Sequence, residues 1–71
     1  MVAMTPVVGS SNINGYSYDE ERQVLTIQFK NAMWAYAGVP ASVASDFASA
    51  ISKGSFFHQA IKGQYTGEKI S

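Results

Sequence analysis

The fold of this chain is decided by one stretch, Met33-Trp34-Ala35-Tyr36-Ala37-Gly38-Val39-Pro40. Trp34 and Tyr36 lie two residues apart, so in a strand their side chains share one face. Pro40 cannot donate a hydrogen bond to a sheet, and its fixed φ suits the first turn of a helix. The stretch therefore predicts the end of a strand followed by the start of a helix.

Three strands are predicted before Pro40, over residues 13–18, 23–29 and 32–37. The middle strand is the clearest, because apolar Leu25, Ile27 and Phe29 alternate with the residues between them. Residues 19–22 form the first turn, in which Asp19 can hydrogen-bond the turn backbone. Lys30-Asn31 forms a two-residue hairpin turn, and Asn tolerates the positive φ that such a turn demands.

These two turns predict a register in which one sheet face is apolar. The second turn places Ile27 opposite Trp34, and the first places Tyr16 opposite Leu25, and directly opposed residues share a face. The apolar face then collects Tyr16, Tyr18, Leu25, Ile27, Phe29, Trp34 and Tyr36. Trp34 and Tyr36 are therefore expected to be core residues first, with a base-stacking role as the alternative.

Two short helices are predicted after Pro40. The apolar residues of the first recur at helical spacing, at Val43, Phe47, Ala50 and Ile51. Lys53-Gly54 is expected to end it, Ser55 to cap the second helix, and residues 66–71 to fray. The predicted fold class is α+β: a three-stranded antiparallel meander (β-β-β) followed by two short helices packed on one sheet face.

Composition limits the function. The 71 residues predict a single domain, 1–71, with an ordered core of about 7–65. Five basic residues balance five acidic ones, whereas nucleic-acid binders usually carry a basic excess. There is no cysteine and one histidine, His58, so we expect no catalytic, cofactor-binding or metal-binding residues and no enzyme activity. No apolar run is long enough to span a membrane, so no membrane partner is expected.

The order of several short motifs resembles the KTSC domain family. They are Ser10-Ser11-Asn12-Ile13, Tyr18-Asp19, Leu25-x-Ile27-x-Phe29, an aromatic-x-Tyr pair followed by Val39-Pro40, Ser52-x-Gly54-x-Phe56-Phe57, and then Ile61 and Tyr65. The resemblance covers roughly residues 7 to 65. One departure is Trp34-Ala35-Tyr36, where the family has Tyr-x-Tyr.

The resemblance implies a domain that is appended to the C-terminus of some lysyl-tRNA synthetases and also occurs as a stand-alone bacterial or phage protein. It implies no established activity, although RNA binding has been suggested for the family from its association with the synthetase. A cytoplasmic location, in a bacterial cell or a phage-infected host, is the corresponding expectation.

Two function hypotheses follow. The first is a small non-catalytic interaction module, which binds a protein partner or a second copy through the sheet face opposite the helices, at Val24, Thr26, Met33 and Ala35. The second is a weak RNA-binding domain, whose contacts would be Lys53, Lys62, Tyr65 and Lys69. Neutral charge favours the first hypothesis, and family association favours the second.

Overall fold

The structure, a computed structural model, describes residues 4–7 and 12–70; Ser10 and Ser11 lie outside these residues. In chain order the elements are β1 (Thr5–Pro6), β2 (Ile13–Asp19), β3 (Val24–Phe29), β4 (Met33–Tyr36), α1 (Ala41–Ser49), α2 (Lys53–Phe56), a π-helical turn (Phe57–Ile61) and β5 (Gly67–Lys69). The strands form one antiparallel sheet in the order β1-β2-β3-β4-β5. The α+β class is confirmed, but the described residues contain five strands where three were predicted.

The hairpin of β3 and β4 has the predicted register. Leu25 lies opposite Tyr36 and Ile27 opposite Trp34, and the Phe29 amide donates to the Ala32 carbonyl at 2.7 Å across the two-residue turn. The expected positive φ at Asn31 is wrong. Among the described non-glycine residues, positive φ occurs at Gln23, in the other turn.

The register between β2 and β3 differs from the prediction by two residues. Tyr18, rather than Tyr16, lies opposite Leu25, because β2 continues through Asp19 before the chain turns. The Asp19 carboxylate accepts hydrogen bonds from the amides of Glu21 (3.1 Å) and Arg22 (3.3 Å), which fixes the turn after the strand. A slip of two residues preserves the side-chain alternation, so Tyr16 and Tyr18 still lie on the apolar face.

A β-bulge brings Ile13 into the core. Ile13 lies opposite Phe29 and Gly15 opposite Gln28, so Asn14 is an extra residue on β2. Without the bulge, Ile13 would lie on the face opposite Tyr16, whereas in the structure it is 1% exposed. The apolar pattern of the sequence does not reveal this change of face.

The helices cover the apolar sheet face as predicted, but their boundaries differ. Helix α1 ends at Ser49, so Ile51 lies beyond it and is fully exposed. Ser52, rather than Ser55, caps α2, because its hydroxyl accepts from the Ser55 amide at 3.4 Å. Lys53 and Gly54 therefore begin the second helix instead of ending the first. Neither helix of the described residues is long and apolar enough to cross a membrane.

The core lies between this sheet face and the two helices. Its buried residues are Ile13, Leu25, Ile27, Tyr36, Val39, Ala44, Phe47, Phe57 and Ile61. Phe47 of α1 contacts Tyr16 edge-to-face at 5.2 Å between ring centroids. Phe57 of the π-helical turn makes the same kind of contact with Phe29 (5.3 Å) and Tyr36 (5.4 Å). Each helical segment thus packs on a different part of the sheet.

The connection from β4 to α1 is held against the first turn of the sheet. The Tyr18 hydroxyl donates to the Val39 carbonyl at 2.5 Å, and the Val39 amide donates to the Gln23 carbonyl at 2.9 Å. Gly38 supplies the positive φ of 76° that this bend requires. Desolvation, followed by the nearby charges of Glu20 and Asp19, raises the pKa of Tyr18, and burial raises the pKa of Tyr36.

Residues 66–71 were predicted to fray, but residues 67–69 form strand β5. Gly67 lies opposite Tyr36 and Lys69 opposite Trp34, and β1 likewise extends the sheet beyond the expected core of 7–65. A side chain at Gly67 would clash with Tyr36, because an added Cβ would lie 2.5 Å from the Cε1 atom of the ring. Glycine at this position lets the buried ring lie over the edge strand.

We predict that Gly67→Ala destabilises the protein by about 1–3 kcal/mol, because the Tyr36 ring is packed and has to move to make room. Gly54→Ala is the matched control, since nothing lies within 4 Å of its added Cβ. In a helix this change is expected to stabilise by about 0.5–1 kcal/mol. Urea denaturation measures both variants, and an equal effect of the two would contradict the role of Gly67.

We also predict that the free energy of unfolding falls in alkaline solution. The pKa of a tyrosine in an unfolded chain is about 10. The folded-state pKa values of Tyr18 and Tyr36 are higher, so their stabilisation is present below the unfolded-state pKa and is lost as pH rises through the folded-state values. Tyr36→Phe removes one of these groups and should flatten the decline. Urea denaturation at a series of alkaline pH values tests this, and an unchanged decline in Tyr36→Phe would contradict it.

Candidate functional site

A groove of about 570 Å³ opens between the π-helical turn and the end of the sheet that carries the β3–β4 turn. Pockets of roughly 300–1,000 Å³ accommodate small ligands or single units of a polymer. Its aromatic lining residues are Phe29, Trp34, Tyr36, Phe57 and Tyr65. The groove therefore lies on the sheet face that the helices cover, at the edge of the core.

Four of the aromatic rings form a continuous row. Phe57 contacts Phe29 and Tyr36 edge-to-face, and Tyr36 in turn stacks against Trp34, with 6.5 Å between centroids and 20° between planes. Phe57 and Tyr36 are 6% and 7% exposed, so they serve as core. Trp34 is half-buried at the outer end of the row. The predicted core role is thus observed for Tyr36, while Trp34 lies at the rim.

The polar lining of the groove is basic and amide-bearing. Lys30 and Lys62 are its charged residues, and none of the described lining residues is a carboxylate. Asn12 and Asn31 add side-chain amides, and a backbone hydrogen bond of 3.1 Å from Lys30 to the Asn12 carbonyl ties the start of β2 to the β3–β4 turn. This combination suits a ligand that carries negative charge and a flat apolar surface.

A tight loop after the π-helical turn positions two lining residues. The amides of Gln64 and Tyr65 both donate to the carbonyl of buried Ile61, at 3.1 and 3.2 Å. Gly63 has a φ of 83°, which allows the chain to reverse there. The loop brings Tyr65 beside Lys62, with which it forms an isolated parallel bridge. Sequence spacing alone does not place these two residues at the groove.

The residues of the RNA hypothesis are placed in three locations. Lys62 and Tyr65 line the groove. Lys69 lies opposite Trp34 across β4 and β5, so it shares the face on which the groove lies. Lys53 does not line the groove, and its ammonium group donates to the Ala50 carbonyl at the end of α1, at 3.2 Å.

The residues of the interaction hypothesis lie together on the opposite sheet face, hereafter the open face. Thr26 and Ala35 oppose each other directly, and all four predicted residues, Val24, Thr26, Met33 and Ala35, are half-buried. Ile70 follows β5 beside Met33, is 52% exposed, and donates from its amide to the Met33 carbonyl at 2.8 Å. Asp19 opposes Val24 and Glu68 opposes Ala35, so two acidic residues lie at the open face. At its end near the β3–β4 turn, Lys30 lines a small cavity together with Gln28 and Met33.

His58 lies at the groove, where its ring contacts Phe57 edge-to-face at 5.5 Å. Its side chain is exposed. Among the described residues there is no group of three or more His, Cys, Asp or Glu side chains that could hold a metal ion.

Sequence reasoning missed the groove as a unit. Its basic residues, Lys30 and Lys62, are far apart in the chain. Lys69 is placed opposite Trp34 by β5, a strand that no apolar alternation predicts. One signal in the sequence could have indicated the groove, namely the predicted β3–β4 register. It places Ala32 opposite Phe29, and the small side chain of Ala32 leaves space beside Trp34.

Comparison with known proteins shows a family. The model of the KTSC domain matches residues 9–65. The chain is 39% identical over 62 residues to a lysine–tRNA ligase from Nostoc sp. (strain PCC 7120), and 40% identical over 62 residues to that of Nostoc punctiforme. Each alignment covers 86% of this chain but 11% of the ligase, so the chain spans a small part of these relatives.

A solved structure has the same fold over the whole chain. It is a crystal structure of a KTSC domain protein from Yersinia pestis, with a TM-score of 0.94 and 39% sequence identity. The match covers 100% of both chains.

Proposed function

The chain belongs to the KTSC domain family, and we propose that it is a small non-catalytic binding module whose groove holds single-stranded RNA. The observation that carries this proposal is the lining of the groove, which combines aromatic rings with Lys30 and Lys62 and, among its described residues, contains no carboxylate. Single-stranded nucleic acids bind to such surfaces through phosphate–lysine contacts and base stacking.

The balanced charge of the chain does not argue against this proposal, because the charges are separated in space. Asp19, Glu20 and Glu21 belong to the end of β2 and its turn, and Glu68 lies on the open face. Asp46 is exposed on α1. Phosphates that approach the groove therefore meet a basic surface although the net charge of the chain is zero.

The relatives give a second support. Proteins that carry a homologous segment are named lysine–tRNA ligases, and the domain accounts for 11% of their length. A domain that contacts RNA through an aromatic, basic groove would suit a protein that acts on tRNA.

We predict that the protein binds a fluorescently labelled oligouridylate and that Lys62→Ala weakens binding. Contact with two or three phosphates should give a slope of about −1.4 to −2.1 in a plot of log K against log salt. Lys62→Ala should reduce the magnitude of this slope by about 0.7. Fluorescence anisotropy at several salt concentrations measures both quantities.

Arg22→Ala is the matched control for this experiment. It removes one positive charge at an exposed turn far from the groove residues, where Arg22 pairs with Asp19 at 4.0 Å. Affinity and slope should stay at wild-type values. The proposal is wrong if no binding occurs at low salt, or if Arg22→Ala and Lys62→Ala weaken binding equally.

A second candidate function is self-association through the open face. The observation that favours it is the pair of Met33 and Ile70, which adds an exposed apolar side chain to the half-buried residues of that face. The acidic residues Asp19 and Glu68 disfavour self-association, because two copies would bring their like charges toward each other.

If this second function holds, Met33→Glu should convert a concentration-dependent oligomer into a monomer, because it places a further charge at the centre of the contact. Ser45→Glu, at an exposed position of α1, is the control and should associate like the wild type. Sedimentation velocity over a range of concentrations measures both. A monomer at every concentration for the wild type would rule out self-association.

A further inference from the structure

We propose that the groove is a pocket for one unpaired nucleobase, which stacks on the indole of Trp34. This inference rests on the proposed RNA-binding function and adds to it the group that is recognised and the residue that recognises it. The base would enter from solvent at the rim, where the aromatic row ends. Phosphates on either side of the base would then lie near the lysines.

The aromatic row leaves one ring available for stacking. Phe57 is enclosed by Phe29, Tyr36 and His58, and Tyr36 lies between Phe57 and Trp34. Trp34 has a single ring contact, with Tyr36, among the described residues, and it is half-buried. One face of the indole is therefore supported by the protein while the ring still reaches the groove.

The residue beside Trp34 along β4 leaves room for a ligand. Ala32 precedes Trp34 by two positions, lines the groove, and accepts the turn hydrogen bond from Phe29. Its methyl group fills little of the space between the indole and the β3–β4 turn. A groove of about 570 Å³ has enough volume for a planar ring of the size of a base.

Polar groups suited to a base edge surround this space. Asn12 and Asn31 line the groove, and each side-chain amide offers a donor and an acceptor, as base edges require. Within the described part of the chain no hydrogen bond engages either amide. They can therefore hydrogen-bond a ligand without breaking a contact of the protein.

Two lysines line the groove, and a third lies opposite Trp34 in the sheet. Lys30 follows β3 at the turn, Lys62 follows the π-helical turn, and Lys69 lies opposite Trp34 on β5. A base on the indole would place its neighbouring phosphates within the basic surroundings of the groove. An acidic peptide would also use these lysines, but its carboxylates have no ring to stack on Trp34, so the aromatic lining favours a nucleotide.

The chain offers a direct measurement, because Trp34 is its only tryptophan. Stacking of a base on the indole should quench the intrinsic fluorescence of the wild-type protein as oligouridylate or oligoadenylate is added. Inorganic polyphosphate carries the negative charge without the base, and a glutamate oligomer represents an acidic peptide. Neither should quench the fluorescence, and both should bind more weakly than the oligonucleotides.

Two variants test the ring itself by anisotropy of the labelled oligonucleotides. Trp34→Leu keeps an apolar side chain without an aromatic face and should lower affinity about 5- to 150-fold, the range for the loss of one stacked base. Trp34→Tyr retains a stacking ring and should retain most of the affinity. Circular dichroism and urea denaturation confirm that both variants are folded, and the quenching of the wild type is independent of either variant.

The outcomes separate this inference from the proposed function. Oligonucleotide binding that depends on Lys62 but neither quenches Trp34 nor weakens in Trp34→Leu would overturn the base pocket and leave RNA binding in place. Polyphosphate or the glutamate oligomer binding as tightly as the oligonucleotides would overturn the base pocket as well. Failure of every oligonucleotide to bind at low salt would overturn both proposals.

Discussion

The structure depends on the contacts by which Phe57 joins the helical segments to the sheet. Its ring meets Phe29 of β3 and Tyr36 of β4 edge-to-face, so one residue of the π-helical turn holds two adjacent strands. Each such pair is worth about 0.5–1.5 kcal/mol beyond the burial of apolar surface, and removing a buried Phe side chain typically costs about 3–5 kcal/mol. The same ring lines the groove. Part of the groove wall is therefore a consequence of core packing.

The β3–β4 register and the covered face were predictable from sequence because two local signals agree. Alternation from Leu25 to Phe29 defines a strand with one apolar face, and the Lys30-Asn31 turn fixes how the next strand pairs with it. The first turn was predicted to begin at Asp19, but Asp19 is the last residue of β2. Its carboxylate accepts hydrogen bonds from the amides of Glu21 and Arg22, which lie in the turn that follows. The apolar face survived this error, since the pairing moved by two residues and the side-chain alternation has a period of two.

The remaining features depend on contacts that leave no periodic pattern. The bulge at Asn14 turns Ile13 toward the core, and this bulge is visible only from the pairing of β2 with β3. Ser52 and Ser55 are equally good capping residues by type, and the chain uses Ser52. Strand β5 has the sequence Gly-Glu-Lys, which carries no apolar alternation, and pairs through its backbone at the edge of β4. These are tertiary outcomes rather than local preferences.

The candidate site lies where β4, which the sequence predicts, pairs with β5, which it does not. Trp34 and Tyr36 share one strand face and were expected to share one role, yet their neighbours on β5 differ. Gly67 opposite Tyr36 has no side chain, so the Tyr36 ring lies over the strand and is buried. Lys69 opposite Trp34 instead brings a positive charge to the face that the indole occupies. An edge strand without an apolar pattern thus separates a ring that belongs to the core from a ring that lies at the rim of the groove.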